Sequence, residues 1–74
     1  MRQLDKKAIG ARLRALRLKR GKTMREVADS IYVTVNHIGQ IELGKKCFSV
    51  NTLDILSEYY GVTTDWILRG DSDD

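Results

Sequence analysis

Residues 22–44 read KTMREVADSIYVTVNHIGQIELG, and this stretch decides the fold. It holds two short helices and almost nothing between them. Thr23 stands where an N-cap would, and Glu26 three residues on completes a capping box, in which each side chain accepts from the other residue's backbone N–H. Val27, Ala28 and Ile31 fall on one face, so the spacing predicts a helix over 24–31. Thr34 caps the next helix, Ile38 and Ile41 form its inner face, and Val33 can staple onto Ile38. Gly44 stops it, which predicts a helix over 35–43. Only Tyr32, Val33 and Thr34 separate the two. Two short helices joined so tightly must cross steeply, the geometry of a helix-turn-helix.

The flanking sequence repeats the same grammar. Upstream, Asp5 caps a helix expected over 6–20, with Ile9, Leu13 and Leu16 as its stripe and Leu4 placed to staple onto Ile9. Gly21 ends it, and Lys19 and Arg20 suit the negative end of its dipole. Downstream, Ser49 caps a helix over 50–60, with Phe48 stapling to Leu53 and Gly61 ending it. Thr63 caps a last short helix from Thr64 to Arg69, with Val62 stapling to Ile67 and Gly70 closing it. The expectation is an all-α chain: a compact five-helix bundle with a central helix-turn-helix over residues 1–70, then an acidic, disordered tail over 71–74.

Composition narrows the function. With 74 residues there is room for one domain and one small core, and 42% hydrophobic residues is a normal globular share. The absence of proline favours helices throughout. Cys47 is alone, so neither an internal disulfide nor a cysteine metal site is expected, and His37 has no partner histidine. Without a nucleophile–base pair or metal cluster, we expect no enzyme activity and no cofactor. No segment approaches the roughly 20 apolar residues of a membrane span, and the basic start leads into no apolar run, so a cytoplasmic protein without a membrane partner is expected. Charge is lopsided. Residues 1–25 hold ten Lys/Arg against Asp5 alone, while residues 26–74 hold three Lys/Arg against nine acids. Such a dipole can orient a protein on a polyanion, although a solvated basic helix would look the same.

Five pieces of sequence, in order, carry a resemblance. They are Ile9-x3-Leu13-x2-Leu16-Arg17, Gly21-x-Thr23-x2-Glu26-Val27-Ala28, Val33-Thr34-x3-Ile38-x2-Ile41-Glu42-x-Gly44-Lys45, Ser49-x3-Leu53-x2-Leu56, and Gly61-Val62-x2-Asp65-Trp66-Ile67-Leu68-x-Gly70. Together they resemble the Xre/Cro-type, lambda-repressor-like helix-turn-helix family over about residues 9–70. The resemblance implies a transcriptional regulator, a repressor, that binds operator DNA as a homodimer and lays the helix at 35–43 in the major groove. It also implies a partly buried salt bridge between Arg17 and Glu42, and a loop at Lys45 and Lys46 lying on the DNA backbone. Two positions depart from the family. Tyr32 stands where the family has a turn glycine, and Met24 where it often has a glutamine that contacts phosphate.

On a helical wheel Asn36, Gly39, Gln40 and Leu43 point away from Ile38 and Ile41, with Val35 at the flank. Asn and Gln amides can each bond adenine bidentately and a Val methyl can meet a thymine methyl, so Val35, Asn36 and Gln40 are the expected base readers. Phosphate contacts are expected from the helix start at Thr23, Met24 and Arg25, from Thr34 and His37, and from Lys45 and Lys46, with Lys22 in a lesser role. Arg12, Arg14 and Lys19 would add only long-range attraction. Ile55 and Tyr59 project from the outer face of the helix at 50–60; with Trp66 and Leu68 they could form an apolar patch for dimerisation. The other class open to this sequence is a protein-binding helix-turn-helix module such as an antitoxin or adaptor. An apolar outer face at 35–43 would favour that class, whereas polar residues beside two lysines favour DNA.

Overall fold

Every helix starts at a residue whose side chain caps it. In the computed structural model, which describes residues 4–70, the order is α1 (Lys6–Lys19), α2 (Met24–Ile31), α3 (Val35–Glu42), α4 (Val50–Tyr60) and α5 (Thr64–Arg69), with no strand among the described residues. Asp5 accepts from the Lys7 and Ala8 amides at 3.0 and 3.3 Å. Thr23, Thr34, Ser49 and Thr63 each accept from the amide three residues on, at 3.0–3.1 Å. These caps satisfy donors that a helix start would otherwise leave orphaned. The tail expected at 71–74 lies outside the described residues.

Two helices stop one residue sooner than expected. Arg20 and Leu43 are C-caps with ψ of 1° and −6°, because glycines in the left-handed region, Gly21 and Gly44, follow at once and turn the chain. At the end of α3 the Gly44 amide donates to Ile41 and the Lys45 amide to Gln40 at 3.0 and 2.9 Å, the paired bonds of a Schellman motif. Gly44 is also pressed against α1: a Cβ there would sit 2.7 Å from the Lys7 Cα.

α3 is the central element. It packs against both α1 and α2, while α5 packs against α1 and α4. The core draws Leu13 from α1, Val27 and Ala28 from α2, Ile38 and Ile41 from α3, and Leu56, Tyr60 and Ile67 from α4 and α5. Burying one such Leu, Ile or Val side chain contributes roughly 1.5–3 kcal/mol. α1 and α3 approach closely because position 10 is glycine. Gly10 is buried, and a Cβ there would collide with the Ile41 and Glu42 carbonyl oxygens.

Arg12 has a different place from the one its charge suggested. It is half-buried, and its Nε and Nη2 donate to the Ile67 and Leu68 carbonyls at 3.1 and 2.9 Å. A guanidinium on the last carbonyls of α5 neutralises that helix end and ties α5 to α1. Arg12 is therefore a structural clamp, not a source of long-range attraction alone.

Candidate nucleic-acid interface

The site is built outward from a buried ion pair. Arg17 and Glu42 are both 7% exposed. Arg17 Nε and Nη2 donate to the two Glu42 carboxylate oxygens at 2.8 and 3.1 Å, a bidentate fork, and Nη1 donates to the Lys22 carbonyl at 2.9 Å. One side chain of α1 thus fixes the end of α3 and the chain entering α2. The hydrogen bond to Glu42 holds the Arg17 pKa above its usual value, against the opposing effect of burial. Tyr60 lines one small crevice with Ile38, Ile41 and Glu42. Burial pushes its phenol up to about 12, and the Glu42 charge adds to the shift.

α3 presents its other side to solvent. Asn36 is exposed, Gly39 and Gln40 are half-buried, and Leu43 is 59% exposed. Val35 also packs against the core, so only part of its surface is free. His37 is half-buried, and its amide is the donor that Thr34 Oγ1 caps. Lys45 and Lys46 stand exposed just beyond α3, and the Schellman bonds tie the Lys45 backbone to that helix end.

The starts of α2 and α3 differ in charge. At α2 the capping box is complete: Glu26 Oε1 accepts from the Thr23 amide at 2.8 Å, and Thr23 Oγ1 accepts from the Glu26 amide at 3.1 Å. The hydrogen bond from the Thr23 backbone lowers the Glu26 pKa. The box consumes two of the four end donors, so the Met24 and Arg25 amides are those left for an outside anion. α3 has a single threonine cap and no acid in its first turn. Its positive end is open to a phosphate without a competing carboxylate.

Met24 is not a solvent-facing side chain. It packs against the core, and its Sδ lies 3.8 Å from where a Cβ on Gly39 would stand. Thr23, Arg25 and Lys22 are exposed, as a phosphate-facing helix start requires. The expected patch at Ile55, Tyr59, Trp66 and Leu68 is less open than the wheel suggested, since all four are half-buried against the core. Among the described residues the exposed large apolar ones are instead Leu4, Leu18, Tyr32, Leu43 and Val50. Leu68 lines a groove of about 420 Å³ with Leu4, Ile9, Phe48 and Leu53, so two of the four stapling pairs expected from sequence line one groove. Among the described residues no group of three or more His, Cys, Asp or Glu could hold a metal ion, and no helix is long and apolar enough to cross a membrane.

Two short capped helices, a three-residue turn and a polar outer face on the second helix define a helix-turn-helix domain. The chain belongs to the helix-turn-helix family, whose pattern matches residues 13–67. It is similar to the SPbeta prophage-derived HTH-type transcriptional regulator YonR of Bacillus subtilis, with 36% identity over 61 residues, or 82% of this chain and 56% of the relative. The chain spans about half the length of the curated relatives it matches. Its fold is similar to the DNA-binding domain of S. venezulae BldD, with TM-score 0.75 and 29% identity, covering 86% of this chain and 96% of that one. The clp gene regulator ClgR from C. glutamicum is similar too, with TM-score 0.77 and 29% identity over 89% of this chain and 86% of the other.

Proposed function

We propose that this chain is the double-stranded DNA-binding domain of a transcriptional repressor, comprising residues 1–70 with an acidic tail at 71–74, and that it works in the cytoplasm without a cofactor or catalysis. The observation that carries the reading is the outer side of α3, where Asn36 is exposed and Gln40 half-exposed, behind a helix start that bears no acid. α3 enters the major groove by its Thr34 end. Val35, Asn36 and Gln40 meet base edges, the two amides matching the donor and acceptor that adenine displays. Phosphates are held by the Met24 and Arg25 amides and the Arg25 side chain, by Thr23, Thr34 and His37, and by Lys45 and Lys46.

Two copies bind one operator, with α3 helices about 34 Å apart so that half-sites recur once per helical turn. The half-exposed edges of Ile55, Tyr59, Trp66 and Leu68 are the candidate contact between copies. Selection of bound sites from random duplexes tests both parts. The expected result is a site with two-fold symmetry. No enrichment over the starting pool would overturn the DNA reading, and a footprint on one asymmetric half-site at saturating protein would overturn the dimer.

A further inference from the structure

Tyr32 stands out twice. Its φ is 62° and its ψ 45°, and it is the one non-glycine residue with positive φ among the described residues. It is also the most exposed large hydrophobic described, at 94%. The left-handed region crowds a Cβ against the following carbonyl, so a tyrosine here costs stability that glycine would not. The ring recovers nothing from packing, because it lies in solvent. Strain held by a residue that contributes nothing to the core is a mark of a functional position.

The surroundings indicate what the ring meets. Tyr32 lies two residues before Thr34, the cap at which α3 begins. The exposed residues around it in the chain, Asp29, Ser30, Thr34 and Asn36, are polar. A protein-docking surface would need a contiguous apolar patch, whereas a single phenol among polar groups suits a sugar–phosphate strand. Resting on the DNA reading above, we propose that Tyr32 is a backbone contact: its ring lies along the strand that flanks the entry of α3, and its hydroxyl donates to a phosphate oxygen. The strained turn holds that hydroxyl beside the start of the reading helix.

The test compares Tyr32→Gly and Tyr32→Phe with the unaltered chain, by thermal melting and by titration with the selected duplex and a scrambled one over a salt series. Tyr32→Gly should melt several degrees higher, since the strain is gone. Both variants should bind more weakly, by roughly fivefold for the loss of one hydrogen bond, and equally on both duplexes. The salt slope should stay unchanged, because a neutral phenol displaces no counterion. Tyr32→Phe binding as tightly as the unaltered chain would overturn the proposal, and so would unaltered affinity in Tyr32→Gly; either result turns Tyr32 towards a protein partner. Failure of the unaltered chain to bind any duplex would instead remove the DNA reading itself, and the contact with it.

Discussion

Ile38, Ile41 and Glu42 on one side of α3 are buried, whereas Asn36 and Leu43 on the other stand in solvent. Both sets lie within α3 and its C-cap Leu43, so neither propensity nor position in the chain separates them. What separates them is what each has to meet. The inner side meets α1 and α2 at fixed distances, with a bidentate ion pair and a glycine at the crossing. The outer side leaves Asn36 and Leu43 exposed and Gln40 half-exposed. The lesson is a division of labour that mutation should expose: changes on the inner side move stability, and changes on the outer side move binding.

The largest expected effect lies on the inner side. Glu42→Ala strands the Arg17 guanidinium in a site where it is 7% exposed. Breaking a buried pair by removing one partner costs about 3–5 kcal/mol. For a domain of this size that lowers Tm by well over ten degrees, at about 4–8 °C per kcal/mol. An unchanged melting curve would break the comparison at its firmest point.

A pH experiment probes the same side. The Tyr60 phenol ordinarily titrates near 10 and is pushed up to about 12 in the fold. The folded state therefore holds this proton more tightly than the unfolded chain. Stability from this source is whole below pH 10 and is lost as pH rises from 10 through 12, by about 2–3 kcal/mol for a shift of roughly two units. Denaturant unfolding across that range should show the loss, and Tyr60→Phe should flatten it. An equal alkaline loss in Tyr60→Phe would place its cause elsewhere.

On the open side a smaller effect should appear in binding alone. Lys45→Ala should weaken association with all duplexes alike and reduce the salt slope by about one unit, with melting unchanged. Titration at four or five salt concentrations measures it. A slope equal to that of the unaltered chain would detach this lysine from the phosphate-binding set.

How far the molecule could be read from its sequence follows the range of each interaction. The caps Asp5, Thr23, Thr34, Ser49 and Thr63 were legible because a cap bonds within three residues of itself. The outward set on α3 was legible from its period, and the Arg17–Glu42 pair only through the family resemblance, since 25 residues separate the partners. Three features were not legible, because each depends on another helix. Gly10 reads alone as a weak point in α1, yet the close approach of α3 requires it. Arg12 reads as surface charge until α5 ends beside it. Ile55 and Tyr59 look open on a wheel of α4, but the assembled core half-buries them.

The central claim is that the outer side of α3 reads bases. Its most direct test compares the unaltered chain, Asn36→Ala and Gln40→Ala on a panel of single-base variants of the selected operator. Each substitution should cost about 1–3 kcal/mol on the preferred site, relax the choice at one base position, and leave binding to scrambled duplex unchanged. Two variants that keep the full base preference at every position would contradict the account.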